Sequence, residues 1–399
     1  MKRFLFIFGA LVIVAVVIGV GYLLRYQSNA PEEAGSPGTV APGANLPPGT
    51  TSPASTTPPL LTPSPSQKLS LMSQNPVREY FLDNQSNLTL VQPDGQIVKI
   101  TKSGVTTLSS TPIANLINTS FSSDGLKVLA VFGEKASPQV SIFDVASKTW
   151  QPLNTSFESG SWSPVGQKLV YFEEKPEKSS LFTLDFGNPK AKPQEVLKIQ
   201  AYDLRPHWTG PQEILLAEKS SSLYFGSLLR FDLAKKTLSL VLESQPGLEV
   251  LWDSSSSRGL FFRSDPQDGG KLNLFDRNGT IREQLKFLTL PTKCVFGSAS
   301  LAAESKTPTS TPTIKTVIRC AVPRGEDELK AWPLPDTYQK KSIFTSDDFY
   351  EIDLTDGAVK TLFSESDKNF DAENLKISGN RLYFVNRYDN RLYSISLSN

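Results

Sequence analysis

The side chains that most often bind metals or act as nucleophile–base pairs are scarce in this chain. It has one histidine, His207, and two cysteines, Cys294 and Cys320, in 399 residues. A zinc site needs three or four ligands, so a His-rich or four-cysteine site is excluded. A Ser-His-Asp triad would have to use His207, and no G-x-S-x-G elbow accompanies it. We therefore expect no metal and no cofactor; a calcium site built from Asp and backbone oxygens stays open, although no EF-hand spacing occurs.

A series of aspartates could supply the paired carboxylates of a glycoside hydrolase. Each one ends a strand-like segment and precedes turn residues, at intervals of 41, 47, 44 and 77 residues. Carboxylates that recur once per repeat are held apart, and Asp strongly favours turns, so we interpret them as turn caps. The series consists of Asp144, Asp185, Asp232, Asp276 and Asp353, with weaker copies at Gln92 and Ser396.

Large aromatic residues also recur, each at the end of an earlier strand of the same unit. They are Phe121, Trp162, Trp208 and Trp252. A ring of ligand-stacking side chains is one interpretation, but packing between neighbouring units is favoured because large aromatics dominate core burial. His207 precedes Trp208, at the end of a strand that we expect to line a central channel.

The repeated unit that positions these residues contains four strands in about 40–50 residues, which is the period of a propeller blade. Alternating and continuous apolar segments separated by Gly, Pro, Asn and Asp turns predict antiparallel strands. We predict an all-β propeller over residues 68–399 with seven blades; six or eight stay open. The last blade, near Leu375, has only three strands, so the strand near Leu69 could complete it. The interval of 77 residues is one blade with an insertion at 298–315.

Two segments, SFSSDGLKVLAVF and SWSPVGQKLVYF, resemble the TolB-type and WD40-like (PD40) propeller repeats. Those repeats carry a W/F-S-x-D-G turn between their first two strands. The resemblance covers about residues 68–399 and implies a fold, together with a general expectation of binding. The turn is altered at Val165, at Gly210 and at 254–257. The separate α/β domain of TolB is missing, so the Pal-type partner of TolB is not implied.

The two cysteines fall in neighbouring predicted strands on either side of the predicted insertion. If that insertion is a hairpin, Cys294 and Cys320 lie on antiparallel strands, with Cβ atoms near bridging distance. We predict a disulfide because the domain is expected outside the cytoplasm; two buried thiols are the alternative.

The N-terminus predicts a membrane anchor. Residues 4–24 carry no charge and are long enough to cross a bilayer, whereas a cleaved signal peptide has a shorter apolar core. Lys2 and Arg3 precede this segment, which places the N-terminus in the cytoplasm and the rest of the chain outside the cytoplasmic membrane. We predict a single-pass signal-anchor at 1–25 and a disordered Pro/Ser/Thr/Gly-rich linker at 26–67.

The charge balance, 41 Lys plus Arg against 40 Asp plus Glu, gives no reason to expect nucleic-acid binding. The sequence favours a membrane-anchored, extracytoplasmic binding or scaffold module for a protein or cell-envelope partner. The alternative is a propeller enzyme of the lyase, lactonase or glycosidase type with its site in the central channel. Polar groups that converge on one channel mouth would favour the enzyme, and an exposed aromatic patch would favour protein binding.

Overall fold

The computed structural model describes residues 68–153, 156–175, 178–253, 258–300, 314–325 and 329–397. Its strands form seven four-stranded antiparallel sheets, the blades of a seven-bladed β-propeller. The predicted anchor and linker lie outside the described residues. Within those residues, none of the helices has the length and apolar character needed to span a bilayer.

The first three blades follow one another along the chain. Blade 1 contains β2 (Glu79–Leu82), β3 (Leu88–Val91), β4 (Ile97–Thr101) and β5 (Gly104–Ser109). Blade 2 contains β6 (Leu116–Phe121), β7 (Lys127–Glu134), β8 (Ser137–Asp144) and β9 (Thr149–Pro152). Blade 3 contains β10 (Phe157–Trp162), β11 (Lys168–Glu173), β12 (Ser179–Asp185) and β13 (Gln194–Ile199).

The remaining blades repeat this order. Blade 4 contains β14 (Leu204–Gly210), β15 (Glu213–Glu218), β16 (Phe225–Asp232) and β17 (Thr237–Pro246). Blade 5 contains β18 (Glu249–Trp252), β19 (Arg258–Asp265), β20 (Gly269–Asp276) and β21 (Ile281–Gln284). A 3₁₀-helix (Pro291–Lys293) precedes blade 6, which contains β22 (Cys294–Ser300), β23 (Ile314–Pro323), β24 (Asp347–Asp353) and β25 (Val359–Phe363). Blade 7 contains β26 (Ala372–Ser378), β27 (Arg381–Asn386), β28 (Arg391–Ser396) and β1 (Leu69–Leu71).

The strand at the start of the described chain completes the last blade. Leu69, Ser70 and Leu71 of β1 pair with Ile395, Ser394 and Tyr393 of β28. The last blade therefore takes its fourth strand from the N-terminal side, as the three-strand count predicted. Pairing of β1 also covers the outer edge of β28, which would otherwise present unpaired backbone groups.

Strand order gives the propeller two different ends. The turn face carries the connections from first to second and from third to fourth strands, such as 122–126 and 145–148. The loop face carries the connections from second to third strands and from blade to blade, such as 219–224 and 200–203. Lys68 accepts a backbone hydrogen bond from Ser396 at the end of β28, so the described chain begins on the turn face.

The core lies between the blades, because each blade packs one apolar sheet face on its neighbour. One cluster joins Leu129 and Ile142 of blade 2 to Leu169 and Tyr171 of blade 3, and further clusters repeat this arrangement around the ring. The ring closes between blades 7 and 1 through Tyr80, whose hydroxyl donates to the Asn374 carbonyl over 2.7 Å.

Two details of the predicted repeat are wrong. Gln92 follows β3, the second strand of its blade, so it is not the equivalent of the aspartates that end third strands. The extra length of blade 6 is also divided between two places. Residues 298–300 and 314–315 belong to β22 and β23, while a second insertion, 324–346, separates β23 from β24. That insertion contains the short helix α1 (Asp336–Gln339), whose polar sequence gave no repeat signal.

Candidate functional site

The five recurring aspartates end the third strands of blades 2 to 6, where their carboxylates accept backbone N–H groups of the turn that follows. Asp144 accepts from Ala146 and Ser147, and Asp232 accepts from Ala234 and Lys235, over 2.8–3.0 Å. The other three make the same kind of contact: Asp185 with Gly187, Asp276 with Asn278 and Thr280, and Asp353 with Thr355. This geometry is that of turn caps, one per blade, on the turn face.

The recurring aromatic residues lie between blades. Trp162 packs in the cluster shared by blades 2 and 3, and its Nε1–H donates to the Ser120 carbonyl of blade 2 over 3.2 Å. Trp208 packs between blades 3 and 4, and Phe121 between blades 1 and 2. Trp252 packs against the cluster shared by blades 4 and 5, with its ring centroid 5.1 Å from that of Phe275 in its own blade. Their side chains therefore face neighbouring sheets rather than a shared ligand.

The first strands of blades 2, 3 and 4 line a pocket of about 410 Å³ at the loop-face end of the channel. Its charged wall combines Glu158 of β10 with Asp203, Arg205 and Lys219 of blade 4, and His207 lies deeper. Lys219 is tied to Asp203 by an ion pair of 2.9 Å. Among the described residues, the side chains of Glu158, Arg205 and His207 make no hydrogen bond or ion pair. Three polar groups thus remain free to meet a ligand.

The surroundings of this channel-mouth pocket disfavour the ionised forms of Glu158 and His207. Desolvation, followed by the neighbouring charges of Glu174 and Asp203, raises the pKa of Glu158. His207 is open to water in the channel but closely surrounded by protein, and this desolvation, together with Arg205, lowers its pKa to about 4. The imidazole is therefore neutral at neutral pH, where it can donate or accept one proton.

A second carboxylate lies near the same pocket. Burial raises the pKa of Glu249 in β18, against the opposing effects of Gln339 and Arg205. One of its oxygens accepts a hydrogen bond from Gln339 of α1, while the other is buried and has no hydrogen-bond partner within the described ranges. A half-satisfied buried carboxylate is costly to keep and is more often found at functional sites than elsewhere.

A fully buried network of charges holds the insertion 329–346 on the loop face. The Lys293 Nζ lies 2.7 Å from carboxylate oxygens of both Asp347 and Asp371. Arg387 pairs with Asp371 over 2.8 Å and donates to the Tyr338 carbonyl of α1 over 2.9 Å. The two cations and two carboxylates balance, and each has a partner, so the network fastens the insertion to blades 6 and 7.

Exposed apolar side chains gather on the loop face. Leu223, Tyr224 and Phe225 follow one another at the tip of blade 4 and are 80%, 72% and 61% exposed. The Ser222 N–H donates to the Asp336 carboxylate over 2.6 Å, which places this tip beside α1. Other exposed aromatic residues on this face are Tyr202, Trp332, Phe344 and Tyr388. Phe344 and Tyr388 stack with ring centroids 5.3 Å apart.

Cys294 and Cys320 occupy paired positions on β22 and β23, and they form a disulfide. The bond lies in blade 6, away from the channel-mouth pocket, and joins the two strands on either side of 301–313. In the described part of the chain, no group of three or more His, Cys, Asp or Glu side chains is arranged to hold a metal ion.

The sequence singled out His207 but missed its neighbours. Glu158 and Arg205 lie in first strands of different blades, and their only sequence signal is a charged residue early in a strand that lines the channel. Glu249 carries the same signal. The buried network involves residues 78 positions apart, which no local pattern connects.

Comparison with known proteins found no matching protein family and no matching curated protein. Solved structures do resemble the chain. An oligogalacturonate lyase from Vibrio parahaemolyticus superposes with a TM-score of 0.53 at 11% identity, over 84% of this chain and 95% of the other. A prolyl endopeptidase gives 0.50 at 13% identity, over 82% of this chain and 49% of the other, so the present chain spans about half of that enzyme. TolB from Acinetobacter baumannii gives 0.34 at 12% identity, over 79% and 62%. At these identities the likeness to the lyase and to the endopeptidase shows a shared β-propeller fold and nothing further.

Proposed function

We propose that this chain is a binding or scaffold module, anchored in the cytoplasmic membrane by residues 1–25, that docks a protein partner on its loop face. The single observation that carries the proposal is the exposed Leu223-Tyr224-Phe225 tip beside the insertion. Soluble surfaces rarely expose contiguous apolar residues without a binding role. Tyr, Trp and Phe are also the residues enriched in the cores of protein interfaces.

The buried network supports this proposal. It fixes the insertion that carries Trp332 and Phe344, so these side chains are held on a rigid base before a partner arrives. A surface organised in advance loses less conformational entropy on binding. The extracytoplasmic location rests on the charge asymmetry of the N-terminus and agrees with the disulfide of blade 6.

Crosslinking of the full-length protein in its native membrane tests this function. We expect a defined partner to be captured by the wild type and lost from the variant Leu223→Ser/Tyr224→Ser/Phe225→Ser. The matched control replaces exposed apolar residues of outer strands, Leu240→Ser and Val359→Ser, and should keep the partner. Capture of the same proteins by all three forms, with equal yield, would contradict docking at the loop face.

A second candidate function, catalysis at the channel mouth, is supported by the free Glu158, Arg205 and His207 side chains. Glu158, with its raised pKa, suits a general acid or base, and Arg205 suits a substrate carboxylate. A panel of uronate glycans, lactones and glycosides tests this alternative. Turnover by the wild type that Glu158→Gln abolishes would support an enzyme of the lyase, lactonase or glycosidase type; a wild type inactive on the whole panel would argue against it.

A further inference from the structure

A groove on the turn face begins where the repeat departs from its own pattern. In blade 2 the turn is filled by its polar side chains: Ser122 Oγ donates to Asp124 over 2.6 Å, and Asp124 accepts the Leu126 N–H. In blade 4, Gly210 already pairs with Glu213, which leaves only Pro211 and Gln212 to make the turn. In blade 3, Val165 replaces the aspartate and is 72% exposed. The shortened turn of blade 4 leaves space that the pattern normally fills.

This space is a continuous depression. Its first part, about 680 Å³, lies between the long connection 186–193 of blade 3 and the turns of blade 4. Two further parts, about 560 and 660 Å³, adjoin it and share Pro211 and either Trp208 or Val165 with their neighbours. The depression thus runs over the turn face from blade 3 to blade 5, where Arg277 lines its far end. We call it the turn-face groove.

The first part of the groove is strongly positive although the whole chain is nearly neutral. Four lysines line it, Lys168, Lys190, Lys192 and Lys236, and Asp185 is the one carboxylate among its lining residues. Lys168 lies 3.8 Å from that carboxylate. Lys190 and Lys192 are exposed, and within the described residues neither forms an ion pair. Cations that line a concave surface without partners raise the local concentration of anions.

The other end of the groove is lined by two cations, Arg230 and Arg277, and by two carboxylates, Glu213 and Asp232. Arg230 and Arg277 both contact Glu213, over 3.2 and 2.6 Å, so two guanidinium groups share one carboxylate. Between the two ends, Pro211 and the exposed Val165 provide apolar surface, beside the carboxylates of Asp124 and Asp185. A ligand that matches this groove carries negative groups at the lysine-lined end and a less polar stretch that crosses Pro211 and Val165.

The side chains of the groove floor favour an acidic glycan over a single-stranded nucleic acid. Single-stranded nucleic acids bind grooves in which aromatic rings are open for base stacking. Trp208, the aromatic side chain among the lining residues, is 9% exposed, and its Nε1–H donates to the Gly210 carbonyl over 2.9 Å. Its ring is thus buried between blades 3 and 4 and is not accessible for base stacking. Sugar rings have aliphatic C–H faces that can pack on the apolar surface of proline and valine.

We propose that the turn-face groove is a binding site for an extended acidic glycan. Its carboxylate or phosphate groups pair with Lys190, Lys192 and Lys236, and its sugar rings cross Pro211 towards Arg277. The site goes beyond the proposed loop-face docking and depends neither on it nor on the membrane anchor. A propeller that binds a glycan on one face and a protein on the other would connect the two.

The test is binding of labelled glycans to the full-length protein in detergent. Alginate oligosaccharide supplies carboxylates, a phosphate-bearing glycan supplies phosphates, and dextran of equal length supplies neither. We expect one anionic glycan to bind, with an affinity that falls as salt is raised, and dextran not to bind. The arm that binds more tightly identifies the anionic group.

Charge-reversal variants locate the site. Lys190→Glu/Lys192→Glu should weaken binding of the anionic glycan about tenfold or more, because two attractive contacts become repulsive. The control Lys340→Glu/Lys341→Glu changes the net charge equally on the loop face and should alter affinity less than about twofold. Val165→Asp, which restores the usual turn residue, should also weaken binding.

Three results would overturn the proposal. One is an equal loss in the loop-face control, which would show attraction to net charge alone. The second is tighter binding of single-stranded DNA or polyglutamate than of either acidic glycan. The third is the absence of glycan binding by the wild-type protein.

Discussion

The Nζ of Lys293, in the 3₁₀-helix before blade 6, lies 2.7 Å from a carboxylate oxygen of Asp371, which precedes blade 7. Both side chains are at most 1% exposed. The contact joins two blades and, through Tyr338, whose hydroxyl donates to Asp371 over 2.7 Å, the insertion as well. One buried ion pair therefore helps to hold the surface on which partner binding is proposed.

Removal of Lys293 should destabilise the propeller severely. Lys293→Met leaves two buried carboxylates opposite the single cation Arg387, and loss of one partner of a buried pair costs about 3–5 kcal/mol. Thermal and denaturant unfolding should show a clear fall in midpoint. The matched control is Lys198→Met, which removes an exposed ion pair of 2.9 Å with Glu195 in blade 3 and should have little effect. Equal midpoints for the two variants would contradict the assigned role.

The same network should make stability depend on pH at the acid end. Burial alone would raise the pKa of Asp371, but Lys293 and Arg387 outweigh it and lower the pKa. A carboxyl with a lowered pKa in the folded state stabilises fully above the unfolded value of about 3.9 and loses this contribution as pH falls further. The stability difference between wild type and Asp371→Asn should therefore shrink below about pH 4. A difference independent of pH down to pH 2 would refute this.

The Cys294–Cys320 bond should be present in the native protein and should stabilise it. The cysteines are 26 residues apart, and closure of a loop of that length is worth about 3.5 kcal/mol in the chain-entropy description. Reductant should lower the melting temperature of the wild type but not that of Cys294→Ala/Cys320→Ala. Alkylation and mass spectrometry of protein from native membranes should find no free thiol. Two modified cysteines would contradict both the bond and the extracytoplasmic location.

Strand β1 should be required to close the ring. Ser70 pairs with Ser394 and accepts a hydrogen bond from Arg381 over 2.9 Å. In Ser70→Pro the loss of a backbone donor from the ladder should lower the unfolding midpoint and expose the edge of β28, promoting self-association. Ser70→Ala, which keeps the backbone N–H, is the control. Unfolding midpoints and light scattering measure both effects, and identical behaviour of the two variants would exclude closure by β1.

A side chain at Gly279 of blade 5 should destabilise the protein, because the backbone of blade 4 lies directly against this glycine. A Cβ there would lie 1.7 Å from the Val241 carbonyl oxygen of β17, whereas one at Gly357 would meet nothing within 4 Å. Both glycines have positive φ, +84° and +72°, so Ala carries a similar backbone cost of about 1 kcal/mol at each. Gly279→Ala should lower the unfolding midpoint well beyond Gly357→Ala. Equal midpoints would show that blades 4 and 5 separate easily at this point.

Glu158→Gln should stabilise the protein at neutral pH. A carboxyl whose pKa is raised by folding opposes the folded state once ionised, and this penalty disappears as pH falls below the unfolded value of about 4.3. The gain should therefore be present at pH 7 and absent at pH 3. A variant less stable than the wild type at pH 7 would show that Glu158 is a structural partner rather than a residue held ready for a ligand.

Much of the fold could be predicted from the sequence because the information is local. Period-two alternation, Asp and Gly turns and the spacing of Asp144, Asp185 and Asp232 specify hairpins, and hairpins repeated about every 45 residues specify blades. The four-strand repeat also indicated that the strand near Leu69 could complete the last blade and that Cys294 and Cys320 could lie on neighbouring strands. Gln92 was misplaced because blade 1 has a similar turn after its second strand.

The candidate sites were decided only by the tertiary structure. Glu158 and Arg205 become neighbours because first strands of successive blades meet around one axis, and Lys293 meets Asp371 because an insertion without repeat character folds over two blades. The turn-face groove exists because one turn is shorter than the pattern and the adjacent connection is longer. Local backbone preferences determine strands and turns, whereas the meeting of charges far apart in sequence depends on how the blades pack and how the ring closes.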